Sequence, residues 1–415
     1  MKLFQQMFVA SAAIGLIAPI GAQANDINIE GMNSYSSSKS SSKKQKFNSK
    51  TFANEIATVN EKIDGLEAQF NEFEAGSFSD TTVMNGKAIF DLGAVENSSG
   101  DLSEAAGFQY TYQLNLNTSF TGDDDLYVRL KTGNATDVFS SKTYGTYLTS
   151  SNGNDDTIKV DKIWYSFPVG DNNTVWIGPK IENYYMHGAT PSIYAPLTKQ
   201  FKLGGNGAAY GASTDSGIGW AYKADNGFSL SSNVVSKQNK STKGFLTDQS
   251  KTNWSTQVAY TTDTYHVSLI SALKYNGWTD SYYTTSLGKA RPNGNSTNYG
   301  LRAYWRPDTE AQAVPEISAG YDVSTVEGQD ADTDAFFVGL TWKDTFQADD
   351  KIGVAFGQPQ TADTDTVEPF TWEAYYSYKL NDSVTLTPGV FGASDRTGTA
   401  GVDLTGVVLE TTFKF

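Results

Sequence analysis

A two-residue periodicity over residues 78–415 is the feature that most constrains the fold, because this region contains no long helical pattern. It is clearest at the end of the chain, where apolar residues alternate with polar or charged ones up to Phe415. Successive side chains of a β-strand point to opposite faces, so the pattern predicts strands with one apolar face. In the last strand that face is Val407, Leu409, Thr411, Phe413 and Phe415, and the opposite face is Val408, Glu410, Thr412 and Lys414.

The connections between these strands alternate between short and long, which is typical of an all-β transmembrane antiparallel barrel. Turns 121–124 and 169–172 are short, whereas connections 133–156 and 182–213 are long. We predict about sixteen strands, an even number that returns both chain ends to the side of the short turns. The predicted strands cover residues 79–92, 106–120, 125–132, 157–168, 173–181, 214–224, 228–235, 253–261, 265–274, 297–306, 315–322, 334–343, 350–358, 368–379, 384–393 and 402–415.

The composition agrees with a barrel and argues against one class of partner. Only 39% of the residues are hydrophobic, as expected where every second strand residue faces lipid, although a soluble secreted protein would have a similar average. The 23 Tyr, 23 Phe and 8 Trp favour the barrel, whose lipid-facing surface carries aromatic girdles. The net charge of −15 argues against nucleic acid as a partner, because phosphate binding needs a basic face.

Residues 1–24 are predicted to be an export signal. Lys2 provides a positive start, residues 7–20 are apolar, and residues 22–24 (Ala-Gln-Ala) match a cleavage pattern. A retained membrane anchor is the alternative, but it would need about 20 apolar residues to span a bilayer. The mature chain is therefore expected to leave the cytoplasm and to insert into the lipid of the outer membrane.

Residues 25–50 are rich in serine and lysine and are predicted to form a flexible linker. Two serine runs, 36–38 and 40–42, are interleaved with lysines. Such a stretch cannot bury enough apolar area to fold alone. The alternative to a solvated spacer is a weak contact between these lysines and an acidic cell-wall polymer.

Residues 51–76 are predicted to form a short coiled-coil helix before the barrel (residues 78–415). Apolar residues recur at alternating intervals of four and three, as in a heptad seam. Three heptads are marginal alone, so we expect the helix to self-associate as an oligomerisation stalk; the alternative is an amphipathic helix packed on its own domain. The seam does not fix the number of chains. It consists of Phe52, Ile56, Val59, Ile63, Leu66, Phe70 and Phe73.

The sequence offers little evidence for a catalytic or metal-binding site. His187 and His266 are the only histidines, cysteine is absent, and no G-x-S-x-G sequence occurs, so we expect neither an enzyme nor a cofactor; an outer-membrane lipase is the enzymatic alternative. Asp330, Asp332 and Asp334 alternate like the start of a calcium loop but lack its glycine and distal glutamate. We interpret them as a solvated acidic loop rather than a metal site, with weak divalent binding as the alternative.

Several segments resemble Som-type cyanobacterial porins, which are related to the OprB-like carbohydrate porin family. The resemblance is carried by residues 78–90, directly after the coiled coil, by D-K-I-W-Y-S-F-P-V-G-D at 161–171 and by the closing T-T-F-K-F at 411–415. Segments 317–321, 337–340 and 387–391 are also similar. Such porins usually carry an S-layer homology domain before the coiled coil, whereas here only residues 25–50 occupy that place.

The resemblance implies a homotrimer in the outer membrane that passes small hydrophilic solutes and inorganic ions by passive diffusion. A structural envelope protein of low conductance is the alternative. Connection 182–213 is unusually aromatic for an exposed loop, so we predict that it folds into the lumen and narrows the pore; the alternative is an outer loop that packs at the centre of the trimer. The constriction candidates are Tyr184, Tyr185, Tyr194, Lys199, Phe201 and Lys202.

Strand alternation also predicts which charged residues face the lumen. The positive candidates would attract anions, whereas acidic residues of the outer loops, at 327–334 and 363–368, would favour cations. The sequence leaves the balance between these two effects open. The pore-lining candidates are Arg129, Lys131, Lys223, Arg302, Arg306, Glu373, Glu410 and Lys414, with Asp161 as a further acidic residue.

Overall fold

A computed structural model describes residues 81–98, 104–136, 139–205, 208–210, 214–237, 244–278, 285, 294–308, 313–328 and 332–415. These residues form one antiparallel sheet of sixteen strands that closes between the first and the last strand. The predicted barrel and its strand number are therefore confirmed. The predicted export signal, linker and coiled-coil stalk lie outside the described residues.

Each strand pairs with its neighbours in sequence. Among the described residues, no helix is both long and apolar enough to cross a membrane. The strands are β1 (Thr82–Asn97), β2 (Gly107–Thr118), β3 (Asp125–Gly133), β4 (Lys159–Val169), β5 (Asn173–Ile181), β6 (Asp215–Lys223), β7 (Phe228–Lys237), β8 (Lys251–Thr261), β9 (Tyr265–Tyr275), β10 (Ser296–Trp305), β11 (Glu316–Val326), β12 (Thr333–Lys343), β13 (Lys351–Ala362), β14 (Phe370–Lys379), β15 (Val384–Ser394) and β16 (Leu404–Lys414).

The predicted boundaries differ most at β1, which was expected at residues 79–92 and runs from Thr82 to Asn97. Gly93 lies beyond the predicted end of the strand, yet it is buried within β1, as is Asp91. The ladder to β16 continues to the pair Asn97–Leu404, so pairing with the last strand extends β1 beyond its apparent end.

The alternation of side chains separates a lipid-facing surface from the barrel interior. On β8 the outward residues Trp254, Val258 and Tyr260 are exposed, whereas Ser255 and Gln257 between them are buried. An apolar outer band with a polar interior is the arrangement that a barrel in lipid requires. The polar inner side chains are buried because two long loops cover them.

The short turns on one side of the barrel share a construction that the sequence did not reveal. Asp124 accepts hydrogen bonds from the amides of Phe120 and Thr121 at 2.9 and 2.8 Å, and from the Tyr165 hydroxyl at 2.6 Å. Asp350 does the same at the turn before β13, where its partners are the amides of Thr345, Phe346 and Gln347 and the hydroxyl of Tyr376.

The described residues of loop L2 (residues 134–158) and of loop L3 (residues 182–214) lie inside the barrel. Their apolar side chains pack against the inner wall and form a hydrophobic core within the lumen. Burial of this apolar surface stabilises the inward position of both loops. The core contains Phe139 and Leu148 of L2, Tyr194, Leu197 and Phe201 of L3, and wall residues Val95, Phe337, Ala355, Tyr375, Phe391, Ala393, Leu404 and Val408.

Candidate functional site

The described part of L3 follows the inner wall from β7 to β14. His187 lies 3.1 Å from the Ser231 hydroxyl on β7. Gln257 on β8 exchanges two hydrogen bonds of 3.1 Å with the backbone of Ala189. Further along, the amide of Ile193 donates to Ser318 on β11. The loop therefore lies across the interior rather than above the rim.

Glu373 on β14 is the most heavily used attachment point. Its carboxylate accepts hydrogen bonds from the amides of Leu197 and Thr198, both at 2.8 Å, from the Thr198 hydroxyl at 2.5 Å and from the Tyr194 hydroxyl at 2.9 Å. The neighbouring Tyr375 hydroxyl donates to the carbonyl of Ala195 at 2.6 Å. A buried carboxylate is tolerable only when it is hydrogen-bonded in this way.

A second attachment is the buried ion pair of Arg302 on β10 with Asp322 on β11, at 2.6 Å. Arg302 also donates from Nε to the carbonyl of Leu203 at 2.8 Å. Beside it the chain of L3 approaches β11 so closely that a Cβ on Gly320 would lie 2.0 Å from the carbonyl oxygen of Gly204. Glycine at position 320 therefore permits the contact.

L2 supports L3 from the other side. Thr149 donates its amide to Leu197 at 2.8 Å, and Lys199 donates its amide to Tyr147, also at 2.8 Å. L2 is in turn held by Ser150, whose hydroxyl lies 3.1 Å from the carboxylate of Asp91 on β1. These contacts link L3 to β1 through L2.

A row of basic residues lines the wall that faces L3. The pairing register places Lys414, Lys87, Gln113 and Lys131 side by side on β16, β1, β2 and β3. Two residues from Lys131 along β3, Arg129 is paired with Lys162 on β4. Lys87, Arg129 and Lys131 are half-buried, so they remain accessible from the lumen. We call Lys87, Arg129, Lys131 and Lys162 the basic arc.

Two carboxylates lie within this basic surface. Arg129 donates from Nε to Asp161 at 2.6 Å, and Lys162 forms an ion pair with Glu182 at the start of L3. Burial alone would raise the pKa of Glu182, but the Lys162 ammonium and the hydrogen bonds from Lys162 and Tyr184 outweigh it and lower this pKa to about 2. Glu182 is therefore ionised at neutral pH.

Aromatic rings continue from the arc into L3. The ring centroids of Tyr127 and Trp164 are 4.3 Å apart, those of Trp164 and Tyr185 are 4.8 Å apart, and those of Tyr185 and Tyr184 are 4.6 Å apart. The Lys202 ammonium lies 5.1 Å from the Tyr184 ring centroid. These ring contacts hold the L3 backbone close to the basic arc. They also place the Lys202 ammonium next to the Tyr184 ring.

Lys199 and Lys202 bring further positive charge to the L3 side. Lys199 lies 3.8 Å from the ring centroid of Tyr147. Burial, and then the like charges of Lys131 and Lys202, hold the pKa of Lys199 well below its usual value. Burial also lowers the pKa of Lys202, an effect that Glu182 opposes. Both lysines are thus within electrostatic range of the wall.

The structure places the predicted site residues in three different environments. Arg129 and Lys131 are at the basic surface, where Lys414 lies beside Lys87. Arg302 and Glu373 also point inward, but they are fully buried beneath L3 and hold it in place.

The remaining predicted wall charges lie elsewhere on the inner wall. Lys223 is exposed at the end of β6. Arg306 lies 3.7 Å from Glu316, and both line a cavity of about 320 Å³ beneath L3. Glu410 lines an adjacent cavity of about 180 Å³ and is paired in register with Asp91.

The predicted constriction residues divide in the same way. Tyr184, Tyr185, Lys199 and Lys202 lie on the side of L3 that faces the arc. Tyr194 and Phe201 instead pack against Phe337 in the apolar core, with centroid distances of 5.6 and 5.7 Å.

Sequence reasoning missed Lys87, Lys162 and Glu182. Lys87 alternates with outward-facing Ala88 and Phe90, so the two-residue pattern of β1 contained the signal. Lys162 lies two residues before Trp164 and faces inward like it. The β-bulge opposite Arg129, however, interrupts the alternation of β4 at this point. Glu182 lies in a loop, where periodicity carries no information.

A protein-family model described as "Carbohydrate-selective porin, OprB family" matches residues 41–392, which is more than half of the chain. An uncharacterized protein of Nostoc sp. is 28% identical over 423 residues, covering 88% of this chain and 70% of the relative. An uncharacterized protein of Synechocystis sp. is 25% identical over 392 residues, with coverages of 81% and 69%.

Several solved structures share the fold. OprB of Pseudomonas putida superposes with a TM-score of 0.59 at 11% identity, covering 81% of this chain and 94% of that one. The anion-selective porin from Comamonas acidovorans gives 0.55 at 12% identity, with coverages of 81% and 99%. The trimer form of OmpT from Vibrio cholerae gives 0.50 at 14% identity, also with coverages of 81% and 99%.

Proposed function

The chain belongs to the OprB family of carbohydrate-selective porins and is an outer-membrane porin, and from this premise we propose that it passes small hydrophilic solutes and inorganic ions by passive diffusion. The observation that carries the proposal is that L3 and the basic arc face each other across the lumen. Lys87, Arg129 and Lys131 keep part of their surface accessible although L3 is attached to the wall at several points. A water-filled route between the loop and the arc accounts for that accessibility.

In this proposal L3 forms the constriction. The loop is held by buried hydrogen bonds to Glu373 and Arg302, so it has a defined position in the lumen. A fixed loop sets a constant pore width, which is what selection by size requires. The side chains of Tyr184, Lys199 and Lys202 would then determine which solutes pass.

Single-channel recording on the purified protein in planar bilayers tests the proposal. We expect stepwise insertions of uniform conductance in potassium chloride. Heat-dependent mobility on denaturing gels provides the folding control, because a closed barrel migrates differently before and after unfolding. A correctly folded preparation without stepwise conductance would contradict the channel.

A structural envelope protein of low conductance is the second candidate. The observation in its favour is the apolar core that L2 and L3 build inside the barrel, which reduces the open cross-section. It predicts a folded protein whose conductance stays near the baseline and does not change when charged residues of the arc are replaced. The same recordings therefore distinguish the two candidates.

For assembly and export, we propose a homotrimer in the outer membrane, with residues 51–76 as its stalk and residues 1–24 as a cleaved signal. The heptad seam and the trimer form named for OmpT of Vibrio cholerae support this assignment. Residues 25–50 would act as a spacer with weak cell-wall contact. Retention of a 25–50 peptide on purified wall fragments tests the contact, and a peptide that washes off freely would contradict it.

A further inference from the structure

We propose that the basic arc together with Lys199 and Lys202 forms a transit binding site for tetrahedral dianions, with inorganic phosphate as the simplest ligand. The inference rests on the proposed diffusion channel and names the class of solute that its constriction favours. It follows from the register of the wall, the position of L3 and the surplus of positive charge between them.

The wall provides two lysines on either side of an amide donor. Lys87 and Lys131 are both in register with Gln113 on the strand between them. Neighbouring strands are about 4.8 Å apart, so the two lysine backbones are separated by roughly 10 Å. An oxyanion can sit between their flexible ammonium groups. The Gln113 Nε2 donates one hydrogen bond, to Asn115 at 2.9 Å, and its second hydrogen can reach the ligand.

L3 supplies cations from the opposite side. Lys199 interacts electrostatically with Lys131, and Lys202 interacts with Lys87 and Arg129. Arg129 also donates to the Tyr185 hydroxyl at 3.4 Å, and Lys162 pairs with Glu182, so the arc and the loop face one common volume. Several donors that converge from two sides suit an anion with oxygens in all directions better than a flat carboxylate.

The charges within this volume do not balance. Among the described residues, the arc and L3 contribute six cations, and Lys414 and Lys142 add two that act on Lys87 and Lys199. Three carboxylates act on this group, which leaves an excess of five positive charges (eight minus three). Two of the carboxylates are consumed in the pairs Arg129–Asp161 and Lys162–Glu182. The third, Glu410, acts on Lys87 and lies beside Asp91.

The mutual repulsion of these cations gives the site its ligand preference. Like charges of neighbouring lysines help to lower the pKa of Lys199, which means that its charged form is destabilised when the site is empty. A dianion relieves more of this repulsion than chloride does. Lysine binds phosphate as a flexible point charge rather than as a rigid fork, which is compatible with rapid release and hence with transport.

The test measures block of chloride current by inorganic phosphate or sulfate. We expect either anion to reduce single-channel chloride current in a saturable manner, at concentrations where added chloride has no such effect. Replacing Lys131 or Lys87 with Gln should raise the half-blocking concentration about tenfold, because each change removes one charge-assisted hydrogen bond to the anion. The matched control is Lys180→Gln, since Lys180 pairs with outward-facing Ile163 and lies outside the lumen.

The outcomes separate the two proposals. Normal chloride conductance without block by phosphate or sulfate would overturn the binding site and leave the channel intact. Block that is equally strong in wild type and Lys131→Gln would also overturn it. If no conductance is found, the channel fails, and calorimetric titration of phosphate into the detergent-solubilised protein still decides whether the site exists. Block by inorganic phosphate but not by glycerol phosphate would assign the site to the free ion.

Discussion

The carboxylate of Glu373 on the barrel wall accepts a hydrogen bond from the amide of Thr198 in L3 at 2.8 Å, across 175 residues of chain. The contact is buried and lies within a cluster of four donors to the same carboxylate. A residue that alternation places in the lumen thus serves to position a loop. If L3 forms the proposed constriction, the width of the pore depends on these buried hydrogen bonds.

Replacing Glu373 with Ala should release the middle of L3. The change leaves the amides of Leu197 and Thr198 and two hydroxyls without their acceptor, at a cost of about 1–3 kcal/mol for each group that stays buried. We expect a larger and noisier single-channel conductance. Glu96→Ala, which removes an exposed carboxylate from β1, is the control. Unchanged conductance in the Glu373 variant would show that other contacts suffice to hold L3.

Gly320→Ala should displace L3 at its second attachment. The added Cβ would lie 2.0 Å from the Gly204 carbonyl oxygen, which is backbone and cannot rotate away. The loop must move, so we expect altered conductance with an intact barrel. Gly107→Ala is the matched control, because nothing lies within 4 Å of a Cβ at that position. Equal channel properties for both variants would contradict the assigned position of L3.

The sequence could predict the barrel because alternation is local information. Glu373 was assigned to the inner face from the alternation of its strand, and the structure places it there. The number of strands followed from the spacing of turns. The end of β1 was missed because its last residues are ordered by pairing with Leu404, which is distant in sequence.

The alternation of residues along a strand indicates on which face of the barrel wall a side chain lies. It does not indicate what covers that face. Arg302 and Glu373 carry the same inward pattern as Arg129, so the sequence could not distinguish a loop anchor from a pore charge. The difference arises from L3, whose path is set by contacts to five strands. No periodicity relates residues 182–214 to those strands.

The turn at Asp124 should control the stability of the barrel in acid. The hydrogen bond from Tyr165, followed by those from Thr121 and Ser119, holds the pKa of Asp124 well below its usual value, although partial burial opposes the shift. Since the folded pKa is depressed, this stabilisation is complete above roughly pH 4 and is lost as the pH falls through the folded pKa.

Asp124→Ala should therefore lower the temperature at which the folded band disappears on gels at pH 7, and should reduce the further loss on acidification. The neighbouring Asp123 is exposed, so Asp123→Ala, the same substitution one residue away, is the matched control. Identical melting of the two variants would mean that the Tyr165–Asp124 contact contributes nothing measurable to the barrel.

Ion preference should depend on pH through Lys199. This side chain is faced by Lys131 on β3, Lys142 of L2, and Lys202 and Glu182 of L3. Because burial and the neighbouring lysines hold its pKa well below the usual value, it loses its charge as the pH rises through that lowered pKa. Glu182, with a pKa of about 2, stays ionised throughout.

We therefore expect the preference for chloride over potassium, measured as reversal potential in a salt gradient, to fall as the pH is raised through the lowered pKa of Lys199. Lys199→Arg should flatten this dependence, because a guanidinium remains protonated over the whole range. Lys199→Gln should lower the preference at low pH, where wild-type Lys199 is charged, and should leave little of the pH dependence. Wild type and Lys199→Arg with the same profile would assign the titration to another group.

Assembly offers a test of the proposed stalk that is independent of the channel. The seam positions Ile63 and Leu66 would face other chains, so replacing both with Asp places charges where a coiled coil buries apolar side chains. We expect the oligomer to weaken on native gels and by light scattering. The control replaces Ala57 and Ala68, which lie off the seam, with Asp. It adds the same charge and should leave assembly unchanged. If both double variants assemble like wild type, the barrel walls hold the oligomer together, and the seam has another use.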